Sequence, residues 1–186
     1  MAIMRCKQTH KLARYLIQQC TKSIQMLVFT FDLIDIVNDL IETARRGIAV
    51  EVFADRRSSL GTATRDQYIR IKSLHDAGIT VQLATGVDIQ EEYNRIGRRV
   101  RPGTGILHAK CLLMDEKYLI AGSANWTTSS RNNTELSLLL KMYGHGISGW
   151  QSTLDSLRDR SEVFGEAHVL EVNTRRSPSL NRSQTT

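Results

Sequence analysis

The sequence lacks a long apolar run. No segment is long and apolar enough to cross a bilayer, and the first residues, MAIMRCKQTHK, lack the apolar block of a signal peptide. These absences argue against a membrane-spanning or secreted protein. We therefore expect a cytoplasmic or otherwise intracellular chain, and a targeting segment missing from this sequence is the alternative that stays open.

Cysteine is also scarce. Cys6, Cys20 and Cys111 are an odd number and do not have the paired spacing of a zinc finger. No cluster of Asp, Glu and His has the spacing of metal ligands either. We therefore expect free, reduced thiols, with Cys111 as a small core residue, and chemistry that needs neither a metal nor another cofactor.

What is present is typical of one globular domain. A chain of 186 residues with 41% hydrophobic and 24% charged residues can bury a core. Lysine and arginine number 25 against 19 acidic residues, which gives a formal net charge of +6. This charge favours an anionic partner, either nucleic acid or a phospholipid surface, although many basic proteins bind neither.

Predicted strands and helices alternate in the first half of the chain. Short apolar runs rich in β-forming residues predict buried strands, and apolar residues at helical spacing predict helices that end at Gly47 and Gly78. In order, these are a strand over 23–31, a helix over 35–47, a strand over 48–54, a helix over 65–77 and a strand over 79–84. Such units predict an α/β fold with a mixed, largely parallel β-sheet flanked by helices.

The second half begins with a polar loop from Gly86 to Gly105, which contains Arg95, Arg98, Arg99 and Arg101. These arginines either lie on a solvated excursion or contact a nucleic-acid backbone. The elements predicted after the loop are strands over 106–114, over 118–122 and from Thr134, and a helix over 148–160 with Trp150, Leu154 and Leu157 inward. We expect one domain over 1–172 and a disordered, basic tail over 173–186.

Polar side chains interrupt the apolar segment GILHAKCLLMDEKYLIAGSANW, residues 105–126. Side chains two apart in a strand share a face, so His108 and Lys110 point one way. Their neighbours point toward a core: Leu107, Ala109, Cys111 and Leu113. Ser123 and Asn125 have the same spacing at the end of the next strand.

A hairpin would bring these polar residues together. If it closes at residues 115–118, Lys110 faces Ser123 and His108 faces Asn125. Lysine then supplies charge, and serine and asparagine supply hydrogen bonds to the oxygens of a phosphodiester. Histidine can act as a nucleophile, or as a general acid and base, near neutral pH.

The same residues carry a family resemblance. HAKCLLMDEKYLIAGSAN has the form H-x-K-x4-D-x6-G-S-x-N, and NNTE follows with an N-x-E element. The residues that match are His108, Lys110, Asp115, Gly122, Ser123, Asn125, Asn133 and Glu135. This pattern resembles the HKD motif of the phospholipase D superfamily, above all its small single-motif members of the bacterial endonuclease type and the mitochondrial, Zucchini-like type.

The resemblance implies a mechanism. Single-motif relatives form homodimers through the motif face, and one His108 would attack phosphorus while the other protonates the leaving oxygen. Lys110, Ser123 and Asn125 would hold the phosphoryl oxygens. Glu135 would accept a hydrogen bond from the far nitrogen of His108, and Asp115 would have a structural or electrostatic role. The zinc-binding insert of some Zucchini-like relatives has no counterpart here.

Other polar residues have plainer interpretations. His10, His75, His145 and His168 lack any such context, so surface positions are expected. Asp55 follows a predicted strand, where α/β proteins often place site residues, but a capping role or a surface turn is favoured. Trp126 is expected to pack under a loop, with stacking on a base of a bound nucleic acid as the alternative.

Three functions compete. The leading hypothesis is a metal-independent nuclease that acts through a phosphohistidine. A phospholipid phosphodiesterase, of the phospholipase D or cardiolipin hydrolase type, is the second, because both substrates present the same phosphodiester. The third is a catalytically silent module that binds nucleic acid or lipid.

Overall fold

The chain folds around a mixed β-sheet with helices on both faces. The computed structural model describes residues 2–61, 65–89, 92–93, 99–100 and 103–176. The elements in chain order are β1 (Ala2–Met4), α1 (Cys6–Gln18), β2 (Ser23–Val28), α2 (Ile34–Arg45), β3 (Ala49–Asp55), α3 (Arg56–Leu60), α4 (Arg65–Asp76), β4 (Thr80–Ile89), β5 (Glu92–Tyr93), β6 (Arg99–Val100), β7 (Gly103–Ile106), β8 (Cys111–Met114), β9 (Tyr118–Gly122), β10 (Ser137–Lys141), α5 (Gly144–Arg158), β11 (Ser161–Val163) and α6 (Glu166–Arg176). A 3₁₀ helix, Ser129–Asn132, lies between β9 and β10.

The main sheet has the strand order β1-β10-β9-β8-β2-β3-β4-β11, and β7 pairs with β4 beside it. The pairs β2–β3 and β3–β4 are parallel, and the other strand pairs in the described part of the chain are antiparallel. The predicted mixed α/β class is confirmed. The sheet is less parallel than predicted, because the β8–β9 hairpin joins β2 in the antiparallel sense and β10 continues in that sense.

Two apolar clusters attach the helices to the sheet. One contains side chains of α1, α2, α4 and α6, such as the fully buried Ile17 and Leu40. The other contains the inward face of α5, as predicted for Trp150, Leu154 and Leu157. Alternation along β2 divides its side chains between the two faces, since Met26 belongs to the first cluster and Leu27 to the second.

The strand predicted over 106–114 is two strands. β7 ends at Ile106, which pairs with Thr85 of β4, whereas β8 begins at Cys111 and pairs with β2 and β9. Because β7 and β8 pair with different strands, the chain has to cross between them. Residues 107–110 form this crossing, so His108 and Lys110 lie in a connecting segment and not within a ladder.

The backbones of β4 and β7 approach closely just before the crossing. A Cβ atom on Gly86 would lie 2.7 Å from the carbonyl carbon of Gly105, closer than real Cβ atoms come to such a carbon. The register also shifts between Thr85 and Asp88, as at a β-bulge. Glycine is therefore required where the two strands meet.

Both ends of the described chain differ from the prediction. The sequence pattern did not predict α1, whose Ala13 and Ile17 are fully buried. α6 continues to Arg176, anchored by the buried Val172, so the predicted disorder is wrong for residues 173–176. The rest of the predicted tail, residues 177–186, lies outside the described residues.

Candidate active site

Asp55 holds the start of the crossing segment. Its carboxylate, in a residue that is 1% exposed, accepts the Leu107 N–H at 3.0 Å and the Ser58 N–H at 2.7 Å. The bond to Ser58 caps α3, which confirms the favoured capping role. The bond to Leu107 was not predicted, and it fixes the residue that directly precedes His108.

His108 and Lys110 lie side by side against an aromatic ring. Lys110 Nζ donates to His108 Nδ1 at 2.9 Å and to the His108 carbonyl oxygen at 2.7 Å. The ring of Phe29 lies 4.4 Å from the imidazole, between centroids, and 5.1 Å from Lys110 Nζ. His108 is exposed, whereas Lys110 is 6% exposed. The imidazole is therefore accessible to a substrate, while the lysine that contacts it is buried.

Burial changes the acid–base properties of Lys110. It lowers the pKa of the ammonium from its ordinary value, and the nearby Glu135 carboxylate opposes that shift. A buried ammonium has lost part of its hydration, so its attraction for an anion is less screened than on an open surface. Lys110 is therefore suited to hold a phosphoryl oxygen.

The end of β9 supplies the second part of the site. Gly122 N–H donates to the Lys110 carbonyl at 3.3 Å, which brings the following residue, Ser123, next to the crossing. Ser123 Oγ donates to Glu135, and Asn133 Nδ2 donates to the other Glu135 oxygen at 3.2 Å. The predicted Glu135–His108 hydrogen bond does not occur among the described residues, because Ser123 and Asn133 engage Glu135 while Lys110 engages His108 Nδ1.

Asn125 is held through its backbone. Its carbonyl oxygen lies 3.1 Å from His10 Nε2, and its side-chain Oδ1 is buried without a hydrogen-bond partner among the described residues. Burial lowers the pKa of His10, although the bond to Asn125 opposes this, so the ring is neutral near pH 7 and donates through Nε2. His10 is 4% exposed, so its predicted surface position is wrong.

The hairpin register differs from the predicted one by a single residue. Cys111 pairs with Ala121 and Met114 with Tyr118, so Lys110 is level with Gly122 and not with Ser123. The cause is a three-residue loop, 115–117, in which Asp115 and Glu116 adopt positive φ angles of 54° and 52°. Lys110 and Ser123 are therefore not cross-strand partners, because a shift of one residue turns a side chain to the other face of a ladder.

Asp115 lies in this loop, at the other end of β8 from Lys110. Its carboxylate accepts hydrogen bonds from Cys20 Sγ at 2.8 Å and from the Lys22 N–H at 2.7 Å, with further bonds from Thr21 and Ser23. Burial alone would raise its pKa, but these donors outweigh burial and lower it. These contacts tie the start of β2 to the end of β8, and the role of Asp115 in the reaction stays a prediction.

Trp126 and the arginines of the polar loop were the predicted contacts with nucleic acid. Trp126 is 1% exposed, and its ring centroid lies 5.8 Å from that of His10. Trp126 is therefore packed inside the protein, as expected, and the alternative of stacking on a base is wrong. Arg99 belongs to the two-stranded sheet of β5 and β6, whereas Arg95, Arg98 and Arg101 lie outside the described residues. Their predicted contacts with nucleic acid stay predictions.

The remaining histidines and cysteines divide as follows. His145 is exposed and His75 half-buried, but His168 is 9% exposed, so its predicted surface position is wrong. The three cysteines are free thiols, as expected. Burial raises the pKa of Cys111 to about 11, which matches an inert core thiol.

Two supporting residues escaped the sequence prediction. Phe29 follows β2 in the run VFTF and was read as strand, although its place at the carboxyl end of a parallel strand was a usable signal. His10 gave no usable signal, because its partner Asn125 is 115 residues away in sequence.

Two searches of the described residues were negative. No group of three or more His, Cys, Asp or Glu side chains is arranged to hold a metal ion within them. Among the helices of these same ranges, none combines the length and the apolar character that a bilayer span requires.

Comparison with known proteins places the chain in a family. The family model described as "Cardiolipin synthase, PLD-like domain" matches residues 14–145, which is more than half of the chain and includes the whole motif from His108 to Glu135. The chain belongs to this phospholipase D-like family, and the predicted resemblance is confirmed.

Mitochondrial cardiolipin hydrolase of Mus musculus is 31% identical over 108 residues, which cover 53% of this chain and 46% of that protein. The homologous protein of Canis lupus familiaris is also 31% identical over 108 residues, covering 40% of its length. The chain therefore spans about half the length, or less, of the curated relatives that it matches.

Solved structures show the same fold. Nuc from Salmonella typhimurium, a phospholipase D family member, is similar with a TM-score of 0.70 and 17% identity, over 89% of this chain and 97% of that chain. NucT from Helicobacter pylori is similar with a TM-score of 0.71 and 21% identity, over 88% and 98%. Each match covers nearly the whole of the solved chain, so the shared fold extends over almost all of both neighbours.

Proposed function

We propose that this protein is a metal-independent phosphodiesterase that hydrolyses nucleic acid through a phosphohistidine, in a site shared by two copies of the chain. The contact between Lys110 Nζ and His108 Nδ1 carries this proposal. It combines an exposed imidazole with a buried ammonium, and the Ser123–Glu135 pair lies beside them. These groups can attack a phosphorus atom and bind its oxygens.

The Lys110 hydrogen bond defines the resting state of His108. Because Nδ1 accepts from the ammonium, a neutral ring carries its proton on Nε2. Attack by Nε2 requires the proton on Nδ1 instead. A phosphoryl oxygen that arrives at Lys110 competes for the ammonium, which frees Nδ1 to carry a proton and leaves the Nε2 lone pair for attack.

Two displacement steps complete the reaction. Nε2 of one His108 forms a bond to phosphorus as the phosphorus–oxygen bond to the leaving group breaks, and His108 of the second copy gives that oxygen a proton. Water then attacks phosphorus, the second imidazole takes a proton from it, and the nitrogen–phosphorus bond breaks. The products are an alcohol and a phosphate monoester, and both histidines return to their starting state.

Apolar surface around the site supports the second copy. Leu136, which follows Glu135, is 55% exposed. A large apolar side chain beside the site offers a second copy apolar surface to bury.

Nucleic acid is the favoured substrate because the chain carries a net charge of +6 and phosphate contacts dominate nucleic-acid affinity. Phospholipid is the second candidate, and the name of the mouse relative, a cardiolipin hydrolase, favours it. The catalytic groups do not separate the two, since both substrates offer a phosphodiester.

A cleavage panel in the presence of a chelator tests the proposal. Single- and double-stranded DNA, RNA and cardiolipin vesicles are each incubated with the wild-type protein, the His108→Ala variant and, as a matched control, the His145→Ala variant, whose histidine is exposed on α5. We expect nucleic acid to be cleaved by the wild type and by His145→Ala, and not by His108→Ala.

Other outcomes select other functions. Cleavage of cardiolipin alone would establish the lipid phosphodiesterase instead. Binding without turnover, equal in the wild type and His108→Ala, would favour the silent binding module. Activity that the chelator abolishes would contradict metal-independent chemistry.

A further inference from the structure

A second, basic cavity opens at the same edge of the sheet as His108. Its volume is about 390 Å³, and it lies between α3, Thr85 in the middle of β4, the end of β7 and Arg175 of α6. Arg56, Arg57 and Arg175 line it, together with Gly105 and Ile106, the two residues that lead into the crossing segment. The cavity thus adjoins the segment that carries the proposed nucleophile.

Two of the three arginines form ion pairs with glutamates that do not line the cavity. Arg56 bonds to Glu162 and, at 3.4 Å, to Glu171, while Arg175 bonds to Glu171 at 2.6 Å. Each guanidinium has five N–H donors, so these bonds fix the side chains and leave donors for a ligand. Arginines held in this way lose little conformational freedom when an anion binds.

The third arginine has no such partner. The Arg57 side chain is exposed, and no described residue forms an ion pair or a side-chain hydrogen bond with it. Asp55 also lines the cavity, but it is 1% exposed and its two oxygens accept the Leu107 and Ser58 N–H groups. The charged groups that an incoming ligand can reach are therefore the guanidinium groups, which suit phosphate, and the rest of the lining consists of uncharged residues such as Leu60 and Thr85.

We propose that this cavity binds a backbone phosphate of the nucleic-acid substrate, a short distance along the strand from the scissile bond; the inference rests on the proposed function. Ile106 lies two residues from His108, which is about 7 Å along an extended chain. One nucleotide of a strand rises about 3.4 Å along a duplex axis, so the bound phosphate lies within a few nucleotides of the cleaved one.

The shape of the cavity favours a strand over a membrane. A concave cavity admits one phosphate of a flexible chain, whereas a flat bilayer surface reaches only its rim. Asp55 connects the two sites, because the same carboxylate lines the cavity and holds Leu107.

Binding measurements in the His108→Ala background test the proposal without cleavage of the ligand. A labelled single-stranded oligonucleotide is titrated with that parent, with Arg57→Gln added, and with Arg57→Gln and Arg175→Gln added, over a series of salt concentrations. Arg45→Gln is the matched control, since Arg45 is an exposed, ion-paired arginine at the end of α2.

We expect the double arginine variant to bind the oligonucleotide about tenfold more weakly. The slope of log affinity against log salt concentration should become shallower by about 0.7, the value for one phosphate contact on a single strand. Arg45→Gln should stay within about twofold of the parent, because distant charges are screened. Equal affinity and slope in parent and double variant would overturn the proposal, as would an equal loss with Arg45→Gln.

Two further comparisons distinguish a failure of the cavity proposal from a failure of the proposed function. In protein that retains His108, the ratio of oligonucleotide cleavage to bis(p-nitrophenyl) phosphate hydrolysis should fall about tenfold in the double variant, because the small diester cannot reach both sites. If the wild type cleaves neither substrate, the proposed function is wrong. The binding measurements in the His108→Ala background still show whether the cavity binds nucleic acid. Loss of binding to phosphatidylglycerol vesicles with unchanged oligonucleotide binding would overturn the proposal in favour of a lipid headgroup.

Discussion

Lys110 is the residue at which stability and the proposed function conflict. Its ammonium is buried beside Phe29, and burial lowers its pKa because the charged form has lost hydration. A position that is 6% exposed would be filled more stably by an apolar side chain of similar length. The presence of a lysine at this buried position is explained by its contact with His108 and by the phosphoryl oxygen that we propose it binds.

Replacing Lys110 by methionine should therefore separate activity from stability. We expect kcat/KM for the phosphodiester substrate to fall by about 10²- to 10³-fold, the usual cost of losing one donor to a developing negative charge. The free energy of unfolding should stay the same or rise, because a buried charge is removed. Steady-state kinetics and urea denaturation measure the two effects.

Lys117→Met is the matched control, since Lys117 is an exposed lysine that also contacts an aromatic ring, that of Tyr118. It should leave kcat/KM unchanged. A Lys110→Met protein that loses activity only because it unfolds would refute the assigned role.

The β8–β9 hairpin depends on the carboxylate of Asp115. Donors from residues 20–23 converge on it across the loop, so the start of β2 is tied to the end of β8. Asp115→Asn keeps a residue type that tolerates its φ of 54° but removes the charge. We expect the free energy of unfolding to fall by about 2 kcal/mol at neutral pH, as for hydrogen bonds to a charged group.

The pH dependence of this loss has a definite sign. The pKa of Asp115 is lower in the folded protein than the ordinary value of 3.8, so its stabilisation is fully present above that value. It is lost as the pH falls from about 3.8 through the folded pKa. The stability difference between wild type and Asp115→Asn should therefore shrink in that acid window, in denaturation curves recorded over pH. Glu116→Gln, a charge loss in the same loop, should show a difference that is small at every pH.

Strand packing before the crossing gives a second prediction at this scale. Gly86→Ala places a methyl group 2.7 Å from the Gly105 backbone, so β4 and β7 must separate. We expect a loss of about 1–3 kcal/mol in the free energy of unfolding, together with lower activity because β7 leads into the His108 segment. Gly149→Ala, in the open middle of α5, should instead gain about 0.5–1 kcal/mol. Equal effects of the two substitutions in chemical denaturation would contradict the close approach.

Sequence alone predicted the elements whose apolar residues follow one period. β2 and α4 lie within the ranges predicted for them, and β3 and α2 match theirs to within two residues at each end, because burial on the sheet requires the observed spacing. The hairpin register was missed because it depends on two positive φ angles that the letters DEK do not reveal. The split at residues 107–110 was missed because it depends on which strands pair, and pairing is not local.

The candidate site was predicted in its residues and only partly in its contacts. Motif spacing identified His108, Lys110 and Ser123, and the structure brings them to one place. Glu135 was expected on His108 but contacts Ser123, because Ser123 follows β9, Glu135 precedes β10, and these two strands pair with Gly122 opposite Ser137.

The proposed reaction needs two histidines at the phosphodiester, and the motif of one chain supplies one, His108. In the described residues, the other histidine that contacts the motif is His10, and it is buried with Nε2 on the Asn125 carbonyl. It is therefore unable to protonate a leaving group at the surface. A second copy of the chain is the simplest source of the acid, and sedimentation of the active protein should show a dimer.

Subunit mixing tests whether the two histidines act together. Wild-type chains are exchanged with an excess of His108→Ala chains, so that most wild-type chains pair with an inactive partner. At roughly nine inactive chains per wild-type chain, the activity per wild-type chain should fall to roughly a tenth, because few sites contain two His108 residues. Exchange with His145→Ala chains should leave that activity unchanged. If activity per wild-type chain is independent of the His108→Ala excess, each chain has a complete site and the shared mechanism is wrong.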